Sequence, residues 1–277
     1  MVSVLKKVSV LGSTGSVGKN TLEVISKLTD KFNLYAISCN ENISLLHDQI
    51  IKYKPRIAVI TNHEKYNKFL DDYGHEINTT RILFGDEGLN EISSHDDVNI
   101  VVAAIVGFQC LKPVVDAIYA NKTVIIANKE ILVSAGEMIM SILRKSDATL
   151  LPVDSEHNAL LQVILSSGLQ YKVNDEEYYE SNINNLTITA SGGPFIDLDV
   201  SEFKNIKSKH AIKHPTWDMG EKISVDSSTM MNKGLEIIEA KLLFNLNLEK
   251  INAIIHRQSK VHALVEFYDG TIIAHMS

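Results

Sequence analysis

Three acids and a lysine pose the chemical question. Asp154 and Glu156 stand two residues apart in LLPVDSEHNALL, and Glu236 follows Lys233 by three in MMNKGLEIIEA. Side chains two apart on an extended strand leave the same face, so Asp154 and Glu156 are expected to point together at the end of the apolar run Thr149–Val153. Two carboxylates held that way repel unless a cation compensates them. Oxygen donors favour hard divalent ions, Mg²⁺ or Mn²⁺. A plainer reading stands beside this one: Asp154 or Ser155 caps the following helix, and Glu156 favours its N-terminal dipole. His157 alone reads as structural. Lys233 and Glu236 read either as a third acid with a cationic neighbour or as an exposed i,i+3 pair.

Other runs supply donors. In SVDSSTMMNKG, Ser227, Ser228, Asn232 and Lys233 combine hydroxyls, an amide and one positive charge, the composition of a phosphate or sugar-phosphate pocket. TASGGPF sets Ser191 beside paired glycines, a shape that exposes backbone N–H groups to an anion. HPTWDMGEK carries the only tryptophan, Trp217, between Pro215 and Gly220; it reads as a mobile lid with an aromatic face, or as a segment with its tryptophan buried. Lys129 and Glu130 follow the strand pattern of Thr123–Ala127 at a helix start.

A second kind of site opens the chain. VSVLGSTGSVGKNTLEVI reads as strand, glycine-rich turn and helix, with Gly12, Gly15 and Gly18 spaced G-x-x-G-x-x-G. Gly12 permits the turn, Gly15 lets the backbone approach a pyrophosphate, Gly18 allows close packing, and the helix N-terminus faces the phosphates. Thr14 and Ser16 add hydroxyls. No acid stands at the end of the second strand, Leu34–Ser38, and the nearest is Glu41. Absence of that ribose-binding acid leans toward NADP over NAD.

Positioning these residues requires an alternation of strands and helices. Strands are expected at Val8–Leu11, Leu34–Ser38, Ile57–Ile60, Arg81–Phe84, Ile100–Ala103, Thr123–Ala127 and Thr149–Val153, with amphipathic stretches between most of them, such as Thr21–Leu28, Leu45–Tyr53, Leu111–Ala120 and Ile131–Arg144. That rhythm predicts an α/β class: a doubly wound, Rossmann-like parallel sheet. Beyond it, YKVNDEEYYESNINN reads as a polar loop, and NLTITA, INAIIH and VHALVEFYDGTIIAHM as strands with a hairpin at Asp269-Gly270. The division expected is a dinucleotide-binding domain over 1–150 and an α+β domain with an antiparallel sheet over 151–277.

Composition narrows the classes. With 45% hydrophobic residues a packed core is expected rather than disorder. The net charge of −7 gives no basic field for nucleic acid or an anionic membrane. Cys39 and Cys110 stand in no metal-ligand spacing and read as buried fillers in a reducing compartment. No secretory or transit segment and no spanning run is visible, so a cytoplasmic protein is expected.

Taken together, the runs LGSTGSVG, AAIVG, ANKE, LLPVDSEHNA, SGGPF and HPTWDMGEKISVDSSTMMNKGLE resemble the 1-deoxy-D-xylulose 5-phosphate reductoisomerase family over nearly the whole chain. The resemblance implies a homodimeric enzyme that uses NADPH and a divalent cation to convert 1-deoxy-D-xylulose 5-phosphate to 2-C-methyl-D-erythritol 4-phosphate in the non-mevalonate isoprenoid route. The skeleton would rearrange by retro-aldol cleavage and re-addition before hydride reduction. The resemblance gives Asp154, Glu156 and Glu236 as metal ligands, and Lys129, Ser155 and Glu156 at the substrate's reacting end. Ser191, His214, Ser227, Asn232 and Lys233 would hold its hydroxyls and phosphate, with Trp217 covering it. Thr14, Gly15, Ser16, Val17, Asn40, Asn42, Asn128, Glu130 and Gly220 would line the NADPH site.

Departures accompany it. Asn40-Glu41-Asn42 replaces the Gly-Lys-Asn common among relatives, removing a lysine from the expected 2′-phosphate grip. Arg257 and Lys260 stand where proline and an aliphatic residue are usual, and a further helical C-terminal domain has no counterpart. Two other readings remain: an inactive dinucleotide-binding module, and a sugar-phosphate dehydrogenase with a nucleophilic cysteine, which neither Cys39 nor Cys110 is placed to serve.

Overall fold

The computed structural model describes residues 5–173, 175–211 and 221–277. The chain divides into two compact units, residues 1–153 and 154–277.

Seven parallel strands form the first unit: β1 (Lys6–Leu11), β2 (Phe32–Cys39), β3 (Ile57–Ile60), β4 (Arg81–Phe84), β5 (Ile100–Ala103), β6 (Thr123–Ile126) and β7 (Thr149–Pro152). Their order is β4-β3-β2-β1-β5-β6-β7, with Val10 level with Ile37 on one side and Val102 on the other. Strands covered on both faces can be apolar throughout. Val10, Leu11, Ala36, Ile37, Ile60, Val101 and Ala103 are indeed fully buried. Each large aliphatic among them stabilises the unit by roughly 1.5–3 kcal/mol relative to exposure. Pro152, which lacks an N–H, is tolerated because β7 is an edge strand.

The crossovers are α1 (Ser16–Lys27), α2 (Ile43–Tyr53), α3 (His63–Tyr73), α4 (Gly85–Ser94), α5 (Leu111–Tyr119) and α6 (Lys129–Leu143). The doubly wound sheet is as the alternation predicts. The chain order reverses beside β1, and such switch points open a crevice at the carboxyl ends of the strands.

The second unit contains α7 (Ser155–Ser166), α8 (Glu176–Glu180), β8 (Ile183–Ala190), α9 (Ser208–Ala211), α10 (Glu221–Ser228), α11 (Met231–Phe244), β9 (Ile251–Ile255), β10 (Val261–Phe267) and β11 (Ile272–Met276). Its sheet runs β11-β10-β8-β9. Pairs β8–β10 and β10–β11 are antiparallel, while β8–β9 is parallel, so the sheet is mixed. The hairpin turns at Gly270, with φ 84°. One expectation is corrected here: the polar stretch 171–185 is not simply loop. Asp175 accepts from the Tyr178 N–H and so caps α8, and β8 starts at Ile183. Tyr179 is buried edge-on to Phe244, centroids 5.6 Å apart, which anchors that short helix.

Helix α7 lies on β10 and β11, and α11 packs against α7 and β9. These two helices carry the acids.

Candidate metal and dinucleotide sites

Asp154 follows β7 by two residues, but it is not on a strand. It is the N-cap of α7, its Oδ1 accepting from the Glu156 N–H at 3.4 Å, and Glu156 lies in the helix's first turn. The acids therefore converge through a helix cap and not, as the spacing suggests, through the pleat of a strand. The capping reading and the cluster reading hold together.

Helix α11 supplies the rest. Asn232, Lys233 and Glu236 lie three and four residues apart and so share a face; the Asn232 amide donates to Glu236 Oε1 at 2.5 Å. Carboxylate oxygens of Asp154, Glu156 and Glu236 all lie within 4.8 Å of one another. Lys233 Nζ bridges two of them, 3.1 Å from Glu156 Oε1 and paired with Glu236 Oε2. Lys233 and Glu236 are almost fully buried, which excludes the exposed-pair reading. The Ser155 hydroxyl donates to Glu156 Oε2 at 2.6 Å.

Such a cluster is electrostatically incomplete. Burial, and next the carboxylates of Glu236 and Asp154, push the Glu156 carboxyl up to about 7 against the pull of Lys233. A carboxyl raised that far marks a place where positive charge is wanted. An all-oxygen donor set suits a hard divalent ion, so the residues present fit Mg²⁺ or Mn²⁺.

Two residues beside the cluster matter more than spacing suggests. His157 is fully buried, with Nδ1 3.2 Å from Asp154 Oδ1 and 3.4 Å from Glu239 Oε2, and Nε2 2.8 Å from the Glu236 carbonyl. Burial alone would depress its basicity, but Glu239 and Asp154 outweigh that and raise it to about 9. Glu239 was not anticipated. Its sequence signal was the i,i+3 repeat of acids Glu236 and Glu239 on one helix face.

The donor runs meet in the second unit. A Cβ at Gly193 (φ 74°) would lie 2.6 Å from the Ser227 carbonyl, so this glycine lets the Ser191–Gly193 loop rest on the end of α10. Met230, with φ 61°, makes the corner between α10 and α11. Ser227 and Ser228 thus precede that corner, and Asn232 and Lys233 follow it. His214, Trp217 and Gly220 lie outside the described residues.

In the first unit, Gly12, Thr14, Gly15, Ser38, Asn40, Thr61 and Ala104 are among the residues lining one cavity at the switch point. A Cβ at Gly18 would lie 2.3 Å from the Gly12 carbonyl, so α1 can pack there only without a side chain. At Gly15, by contrast, a Cβ would meet only that carbonyl, at 3.4 Å. Its missing side chain leaves room on the cavity side, as a pyrophosphate would need. Ser16 and Val17 begin α1, whose N-cap is Gly15.

Three of the expected cofactor residues have structural duties. Asn42 caps α2 by accepting from the Leu45 N–H. Asn128 caps α6 and donates to the carbonyls of Ile105 and Gly107 at 2.6 and 2.7 Å, fixing the loop after β5. Asn40 accepts from the Thr61 hydroxyl. Lys129, buried, and Glu130 form the first turn of α6. Glu41 accepts from Asn62 at 2.7 Å and stands 3.7 Å from Lys65. Both thiols are buried and pushed up to about 12 by that burial, which excludes a reactive cysteine.

Comparison with known proteins gives one answer. The family model for 1-deoxy-D-xylulose 5-phosphate reductoisomerase matches residues 8–136, and that for the enzyme's C-terminal domain matches 150–244. The reductoisomerase of Haemophilus ducreyi is 44% identical over 273 residues, 98% of this chain and 68% of the relative. That of Caldanaerobacter subterraneus is 41% identical, over 99% of this chain and 68% of its own length. A crystal structure of DOX-P reductoisomerase with NADPH, fosmidomycin and magnesium superposes with a TM-score of 0.88 at 38% identity, covering 98% of this chain and 66% of that one. The Zymomonas mobilis enzyme with NADPH gives 0.85 at 37% identity, covering 98% of this chain and 67% of that one. This chain thus spans about two thirds of the length of these relatives. With its glycine-cradled crevice and its three-acid cluster, the chain belongs to the 1-deoxy-D-xylulose 5-phosphate reductoisomerase family.

Proposed function

We propose that this chain carries the cofactor, cation and substrate sites of an enzyme that isomerises and reduces 1-deoxy-D-xylulose 5-phosphate to 2-C-methyl-D-erythritol 4-phosphate, with NADPH and Mg²⁺ or Mn²⁺. The observation that carries the reading is the convergence of Asp154, Glu156 and Glu236, drawn from two helices, beside a buried lysine. Bound between those acids, the cation would polarise the oxygens of the substrate as a Lewis acid. NADPH, seated over Thr14, Gly15, Ser16 and Val17, with Asn40, Asn42, Asn128, Glu130 and Gly220 around it, would supply the hydride.

The chain's own residues bind and orient. Ser155, Glu156 and Lys129 address the reacting end. Ser191, His214, Ser227, Asn232 and Lys233 take the phosphate and remaining hydroxyls, and Trp217 covers the substrate. The all-oxygen cluster and the hydroxyl and amide donors near the α10–α11 corner support these roles.

Two copies pair through the second sheet. Its open face presents Ile254, Ile272 and Met276 to solvent, and apolar groups so displayed favour association. The enzyme works in the cytoplasm on a small sugar phosphate, without nucleic acid or membrane. Among the described residues no helix is long and apolar enough to cross a membrane.

The test is NADPH oxidation by this chain. It should require both 1-deoxy-D-xylulose 5-phosphate and Mg²⁺ or Mn²⁺. NADPH binding without turnover, in this chain and in a version extended to the relatives' length, would favour the inactive binding module.

A further inference from the structure

The buried ring of His157 touches both halves of the acid cluster, yet nothing above gives it work. Its Nε2 lies 2.8 Å from the Glu236 carbonyl, and a carbonyl oxygen only accepts, so Nε2 carries a proton. Its Nδ1 faces the carboxylates of Asp154 at 3.2 Å and Glu239 at 3.4 Å. Both ring nitrogens are thus held between the two helices. Their partners belong to the cap of α7 and to two successive turns of α11.

From this we infer that His157 and Glu239 are positioning residues of the cation site: the ring ties Asp154 to the Glu236 backbone, and Glu239 fixes the ring from its other side. The inference rests on the reading of Asp154, Glu156 and Glu236 as cation ligands. Partners beyond the ligands set their orientation, and losing them typically weakens metal affinity about 10–100-fold. A second cation between Asp154, His157 and Glu239, which also lie within 4.8 Å of one another, fits less well. Nε2 is already committed to the Glu236 carbonyl, and Nδ1 is shared between Asp154 and Glu239.

The experiment measures Mn²⁺ binding to the 277-residue chain by calorimetry, without substrate. The variant is the pair His157→Gln with Glu239→Gln, which removes the ring and the carboxylate that holds it. Mn²⁺ affinity should fall at least about tenfold at a stoichiometry of one, while NADPH affinity and a cooperative thermal transition persist. Affinity within about twofold of the parent overturns the inference. So does a parent stoichiometry of two that drops to one, since the triad would then be a cation site itself. A parent chain that binds no Mn²⁺ sinks the metal reading, a different failure. Should the pair not fold, Glu239→Gln alone carries the test through its near-identical shape: weaker Mn²⁺ binding with NADPH binding retained supports the inference, and unchanged Mn²⁺ binding overturns it.

Discussion

In the first unit the crevice is walled by glycines and neutral side chains at the ends of β1, β2, β3 and β5, and among the described residues its lining holds no carboxylate or histidine. In the second, four acids, a lysine and a histidine interlock on two helices. One site is made of backbone shape and the other of side-chain charge. They should fail to different insults: the first to an added methyl group, the second to an altered charge or pH.

The largest effect is expected at the charge-built site. Glu236→Gln keeps the shape and removes one ligand charge; metal-dependent turnover should fall at least about a hundredfold, beyond what loss of an outlying partner causes. NADPH affinity, measured by fluorescence titration, should not move. A parallel loss of NADPH binding would erase the distinction between the sites.

Gly18→Ala is the converse. Its Cβ would press on the Gly12 carbonyl, and overpacking of this kind costs roughly 1–3 kcal/mol. Thermal unfolding and NADPH titration should both register it, while the variant's Mn²⁺ affinity stays that of the parent.

Acidity separates the sites further. Glu156 is raised to about 7, chiefly by burial and then by Glu236, and a cation must displace that proton. Mn²⁺ affinity should therefore weaken towards tenfold per pH unit below about 7 and level off above it. Because the folded pKa exceeds the unfolded value, this group's contribution to metal-free stability is full below about 4.5 and is lost as pH rises through about 7. Mn²⁺ should reverse that loss. Calorimetry across pH 5–8 checks both signs, with NADPH binding as the comparatively flat reference.

The smallest effect concerns cofactor choice. Glu41 stands in an exposed position near Asn40, paired loosely with Lys65. Glu41→Gln should improve NADPH binding about two- to fivefold over NADH, the scale of a surface charge. An unchanged ratio would remove Glu41 from the 2′-phosphate's surroundings.

The buried parallel strands were legible because nothing polar interrupts them: Ile57–Ile60 and Ile100–Ala103 stand as the hydrophobic runs predict, and the more exposed edge strand Arg81–Phe84 stands where expected too. Helices α3 and α4 are less audible. The first buries only Phe69, and the second begins at Gly85 with φ 72°, which reads as a turn. The acids Asp154, Glu156 and Glu236 were legible as chemistry but not as geometry. A strand face and a helix N-cap both bring residues i and i+2 together, and local pattern does not distinguish them. Glu239 stayed hidden because its role depends on a histidine 82 positions earlier.

Met230 holds a left-handed backbone that side-chain-bearing residues rarely adopt. Left to local preference, residues 221–244 would run on as one straight rod, swinging the serine hydroxyls of α10 off to the side of Asn232 and Lys233. The bend has to be imposed by what surrounds it, so this part of the pocket takes shape only as its neighbours arrive. A nascent chain would carry those hydroxyls, the amide and the lysine without yet bringing them together.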